Sequence, residues 1–127
     1  MLLIIRPLGI AVAFALGLSL GFAGPASAHA HLKSAKPAVN GTVATSPKEI
    51  DLTFTEGVNL KFTGVTITGP GKAPVKTQDG KFGPGGDTTL IVPVGSALPP
   101  GAYTVDWHAL AKDGHKTQGT YTFTVKP

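Results

Sequence analysis

The chain has 127 residues, among them 17 Gly, 11 Pro, no Cys and a single Met, with a formal net charge of +4. That length holds one small domain, and the lack of Cys excludes disulfide staples and thiolate metal sites. The Lys residues are scattered and the single Arg is at position 6, which argues against nucleic acid as a partner, since that needs clustered positive charge.

The first predicted element is an export signal. Arg6 is the only charge before residue 29, Leu8 to Phe22 is apolar apart from Gly and Ser19, and Ala26-Ser27-Ala28 forms an A-x-A cleavage box. The apolar run falls short of the ~20 residues that cross a bilayer comfortably, so a cleaved signal is expected rather than an anchor. The expected organisation is therefore a signal peptide over 1–28 and one domain over 29–127, exported to the periplasm or elsewhere outside the cytoplasm and monomeric. Without Arg6 the balance is 10 Lys against 7 acidic residues, a mild excess that serves solubility.

Beyond residue 28 no stretch keeps a helical apolar period. Short strands are predicted at His31–Ala35, at Ile50–Phe54, and at Val65–Thr68, Pro74–Thr77 and Thr88–Val92. Ile50, Leu52 and Phe54 alternate with Asp51, Thr53 and Thr55; Tyr103, Val105 and Trp107 alternate with Thr104, Asp106 and His108; Tyr121, Phe123 and Val125 alternate with Thr120, Thr122 and Thr124. A period of two in β-branched and aromatic residues marks half-buried antiparallel strands. Turns are expected at Pro37–Gly41, Gly69-Pro70-Gly71, Asp79-Gly80, Gly83–Gly86 and Pro99-Pro100-Gly101. About seven strands at this spacing predict an all-β fold, an immunoglobulin-like antiparallel β-sandwich with Greek-key connections, against the alternative of a small closed barrel. Gly57 to Gly86 is the loosest stretch and is expected to hold long connections.

Chemistry rests on four histidines: His29, His31, His108 and His115. Cleavage after Ala28 makes His29 the first residue, so its α-amine and ring Nδ1 can close a six-membered chelate on one metal ion. The amine has a reference pKa of about 7.7–8.0, so at neutral pH the metal displaces one weakly held proton. Lys112-Asp113-Gly114-His115 places a carboxylate and an imidazole at i and i+2 around a permissive Gly. Three nitrogens and one oxygen from His29, Asp113 and His115 make a tetragonal Cu(II) shell. Taken singly, each half has a plain explanation, a cleavage that happens to precede His and an ordinary Asp-Gly turn; the metal reading rests on their coincidence.

Three further residues are secondary candidates. His31 opens a rival amine/amide/imidazole chelate over His29-Ala30-His31, which is blocked if the first strand pairs from Ala30 onward. His108 has the parity opposite to Tyr103, Val105 and Trp107 and is expected on the outer face. Glu56 lies just past the Ile50–Phe54 strand, as an edge carboxylate or a weak axial donor. Trp107, the only Trp, is expected in the core.

The chain resembles the CopC-type periplasmic copper-resistance proteins over essentially all of residues 29–127. The resemblance is carried by the start, His29-Ala30-His31-Leu32-Lys33-Ser34, by Ile50-Asp51-Leu52-Thr53-Phe54-Thr55-Glu56, and most specifically by P-G-x-Y-x-V-x-W at Pro100–Trp107, D-x-H at Asp113–His115 and G-x-x-x-F-x-V at Gly119–Val125. It implies a β-sandwich binding one Cu(II) through His29, Asp113 and His115, with Glu56 in a weaker position, and an inner-membrane copper transporter of the CopD type as a partner. Two departures stand out. Relatives with a Cu(I) site carry a Met-rich loop between middle strands, whereas Gly64 to Gly86 has no Met, so no Cu(I) site is expected. His108 occupies a position where the family often has Arg.

The reading is a copper-sequestering or copper-delivering protein and not an enzyme, because four equatorial donors leave little room for substrate. The alternatives are a copper-dependent oxidative enzyme built on an N-terminal histidine chelate, which would need an open metal face, and a metal-free adhesion or scaffold domain.

Overall fold

The computed structural model describes residues 29–127; the export signal read over 1–28 lies outside the described residues. Among the described residues nine strands form: β1 (Leu32–Lys36), β2 (Thr42–Val43), β3 (Glu49–Phe54), β4 (Gly64–Thr68), β5 (Pro74–Val75), β6 (Lys81–Gly83), β7 (Gly86–Pro93), β8 (Gly101–Leu110) and β9 (Lys116–Val125), with 3₁₀ turns at Leu60–Phe62 and Pro70–Lys72. They make two sheets, one ordered β1-β3-β7-β6 and the other β2-β9-β8-β4-β5. The chain passes repeatedly between them, so the fold is a sandwich and the closed barrel is excluded.

The alternating segments place the core where expected. Ile50, Leu52 and Phe54 of β3 face Tyr103, Val105 and Trp107 of β8 and Tyr121, Phe123 and Val125 of β9, all buried. Each such aliphatic or aromatic side chain contributes about 1.5–3 kcal/mol on leaving water, and this burial replaces the disulfides the chain lacks. Trp107 meets Phe54 edge-on at 5.5 Å between ring centroids. The Tyr103 hydroxyl donates to the Pro99 carbonyl at 2.5 Å, tying the Pro-Pro-Gly turn to the start of β8 in the manner of a tyrosine corner.

The structure adds to and trims the predicted strands. β2 and β6 were not expected. β2 is two residues held in parallel register to β9 by backbone bonds, too short to show a period. β6 has an exposed Phe82 and ends on Gly83. The first strand begins at Leu32 rather than His31, with an irregularity in its register between Leu32 and Ser34. The fourth predicted strand shortens to Pro74–Val75, with Thr77 kept only as a bridge to Val94. The Gly57 to Gly86 stretch is more ordered than its composition suggests: β4 pairs along β8 from Gly64–His108 to Thr68–Thr104.

The longest pairing is β8 with β9, in register from Gly101–Val125 to Leu110–Lys116. This hairpin presents its turn, Ala111 to His115, at the pole where β1 begins.

Candidate metal centre

The β8–β9 turn is built by its own backbone. The Ala111 N–H donates to the His115 carbonyl at 2.8 Å and the Gly114 N–H to the Ala111 carbonyl at 2.9 Å. Gly114 sits at φ +90°, a conformation that costs a residue with a Cβ and that three-residue hairpin loops require near their end. Asp113 then caps the turn from within. Its Oδ1 accepts from the His115 backbone N–H at 3.0 Å, an Asx-type bond to the residue two positions on, and its Oδ2 lies 3.1 Å from His115 Nδ1. The bond from the backbone N–H is the main reason the Asp113 carboxyl lies below its usual range; partial desolvation works against it, and the side-chain bond and charge of His115, then the charge of His29, add to the lowering. The carboxylate thus stays ionised and holds the imidazole by Nδ1, leaving Nε2 of His115 as the outward donor.

The N-terminal residues reach this turn because they are fixed from both sheets. The Thr117 hydroxyl on β9 donates to the Ala30 carbonyl at 2.6 Å, and Ala30 is fully buried. From β3's end, the Thr55 hydroxyl donates to the His29 carbonyl at 3.3 Å and accepts from the His31 N–H at 3.0 Å, while the Thr55 N–H donates to the His31 carbonyl at 2.8 Å. His29 is thereby set 4.4 Å, ring centroid to ring centroid, from His115. One potential donor atom from each of His29, Asp113 and His115 lies within 4.8 Å of the others. Two donors on opposite sides of one ion stand about 4 Å apart at bond lengths near 2 Å, so small side-chain movements close the set. His29 Nδ1 is buried and has no hydrogen-bond partner, an arrangement that is costly unless something else satisfies the nitrogen.

The secondary candidates fall elsewhere. His108 is exposed on the outer face, as its parity predicted, paired in register with Gly64 and Gln118. Glu56 is half-buried past β3 and stands outside the cluster. His31 is exposed, with its ring centroid 6.2 Å from that of His29. Its backbone N–H is engaged by a Thr55 side chain rather than by strand pairing from Ala30 onward, a correction to the expected reason that the tripeptide chelate is disfavoured. Thr55 and Thr117 escaped sequence reasoning. A Thr that clips a distant carbonyl looks the same in sequence as the other Thr residues of these strands.

Fold and pole together define a class: a small two-sheet sandwich whose first histidine is clipped against its last hairpin, beside a second imidazole and a carboxylate. Residues 32–126 match the family model described as the CopC domain. The chain is 50% identical over 99 residues to protein YobA of Escherichia coli K12, covering 78% of this chain and 80% of that one. It is 38% identical over 116 residues to copper resistance protein C of Escherichia coli, covering 87% and 91%. The crystal structure of PcoC, a methionine-rich copper resistance protein from Escherichia coli, superposes with a TM-score of 0.70 at 36% identity, covering 77% of this chain and 99% of that one. The chain belongs to the CopC family.

Proposed function

We propose that this protein is an extracytoplasmic Cu(II)-binding protein that sequesters or delivers copper, taking one ion per chain through the α-amine and Nδ1 of His29 together with Asp113 and His115. The observation that carries the reading is the unpartnered, buried Nδ1 of His29 standing beside a carboxylate and a second imidazole. Nitrogen donors of intermediate softness with one carboxylate oxygen suit Cu(II) better than harder or softer ions. The family membership and the copper-resistance relatives point the same way. The chain departs from the methionine-rich PcoC in having one methionine, Met1, ahead of the proposed cleavage, so the copper reading is confined to Cu(II). Filled equatorial positions favour binding over turnover, and a CopD-type membrane transporter is the proposed recipient or source.

Copper here is cargo, and the protein's part is to hold its donors ready. Thr117 and Thr55 fix the N-terminal backbone, Asp113 orients the His115 ring, and cleavage supplies the amine. The test combines mass spectrometry of the exported chain with Cu(II) titration followed by Trp107 emission and electron paramagnetic resonance. The expected result is a chain starting at His29, saturable quenching at one ion per chain and a nitrogen-rich tetragonal spectrum. One extra residue before His29 converts the amine to an amide and should weaken binding by on the order of 100-fold, about 2.7 kcal/mol. A mature chain starting elsewhere, or equal affinity with the extra residue, overturns the proposal. Sustained product release in a peroxide- or reductant-driven assay would move the reading to the oxidative enzyme.

A further inference from the structure

We propose that His31 is the port of the metal centre: an exposed imidazole that takes up Cu(II) from solution, passes it to His29, and receives it again on release. The inference rests on the Cu(II) reading above and deepens it by assigning a route for the ion.

Two features of the site create the need for a route. His29 Nδ1, one of the two chelating nitrogens, is buried. Its neighbour His115 is held by Asp113 through both ring and backbone. An ion arriving with its hydration shell can land on the exposed Nε2 side of His115, but the His29 chelate with its buried Nδ1 is reached only by shedding that shell, and an ion leaving has to break several bonds before water replaces them. A transient ligand that is exposed and within reach of the same ion lowers both barriers, because each bond broken is matched by one made.

His31 meets these requirements. Its side chain is exposed, and its ring centroid is 6.2 Å from that of His29, with the planes at 78°. Two imidazoles that share one ion have centroids roughly 6 Å apart at most, from metal–nitrogen bonds near 2 Å plus the half-width of each ring. His31 thus stands at the outer limit of sharing an ion with His29, near enough to exchange it while lying outside the close cluster that His29 makes with Asp113 and His115. His29 and His115, at 4.4 Å, lie well inside that limit. The backbone of His31 is also fixed, by the Thr55 hydroxyl and N–H, so the imidazole is tethered near the site without depending on a loose N-terminus.

A port that stabilises only the transfer step speeds uptake and release by the same factor and leaves the affinity where it was. The experiment uses the mature protein and His31→Ala, with copper as the probe. Uptake is read by stopped-flow quenching of Trp107 and release by recovery of emission on mixing with excess chelator; equilibrium affinity is read by competition. The expected result is that both rates fall about tenfold or more with affinity unchanged within a factor of about two. Added free imidazole should restore the release rate of His31→Ala, which it would not do if the substitution acted by disturbing the fold. Unchanged rates overturn the port. A large loss of affinity also overturns it, since His31 would then be a resident ligand. Failure of the unsubstituted protein to bind Cu(II) at all overturns the functional reading itself, which is a separate outcome.

Discussion

The hydroxyl of Thr117 offers a direct test of how the N-terminal histidine is positioned. Thr117→Val keeps the shape of the side chain and removes the donor that reaches the Ala30 carbonyl at 2.6 Å. Ala30 is fully buried, so its carbonyl is left without that partner. The lost bond is worth about 1 kcal/mol net and the orphaned carbonyl adds a penalty of about 1–3 kcal/mol, so a loss of about 2 kcal/mol is expected. For a domain of this size that lowers the melting temperature on the order of 10 °C. The same clip holds His29 toward His115. Once it is gone, binding has to order one or two N-terminal residues, at about 1–2 kcal/mol each. Part of that cost is already met by Thr55, so copper affinity should fall by about tenfold. Calorimetry or circular dichroism gives the first number and competition titration the second, with Thr117→Ser retaining both. A melting temperature and affinity equal to wild type would refute the clip. A full loss of stability at unchanged affinity would show that Thr117 supports the sandwich without positioning His29.

Other substitutions probe the turn, the core and the outer sheet. Asp113→Ala and His115→Ala each remove one donor and should weaken Cu(II) binding less than an added residue before His29, by roughly 10-fold to 100-fold; His31→Ala should leave the equilibrium value alone. Because the Asp113 carboxyl is depressed in the folded chain, its contribution to the turn is present above the ordinary carboxyl value of 3.8 and is lost only as pH falls through the lower folded value; a pH titration of the Gly114 and His115 amide resonances should show that low midpoint. Asp51 behaves oppositely. Desolvation raises its carboxyl above 3.8, with Glu49 adding to the rise and Lys36 opposing it. The folded chain therefore holds that proton more tightly than the unfolded one, and stability falls as pH rises through the window above 3.8. Asp51→Asn should raise the melting temperature at pH 7 and leave it unchanged at pH 3. Gly119→Ala places a Cβ 2.6 Å from Trp107 Cζ2, an overpacking expected to cost about 1–3 kcal/mol and to shift Trp107 emission in the metal-free protein.

The sandwich and its core were legible before any coordinates, because burial on one face of a strand imposes a period of two on Ile50–Phe54, Tyr103–Trp107 and Tyr121–Val125. The members of the proposed centre could be picked out as candidates too: an A-x-A box just before His29, and a Gly that lets Asp113 and His115 share a turn, are local patterns read within a few residues. Strands β2 and β6 were not, since two or three residues held mainly by backbone bonds leave no period in the side chains. Nor was the meeting of the two ends of the chain. That Ala30 lies under Thr117, that Thr55 holds His29 and His31 by their backbones, and that His29 stands 4.4 Å from His115 depend on which strands neighbour which. That order is decided by how two sheets close over a common core, and residues between 24 and 87 positions apart carry no local trace of it.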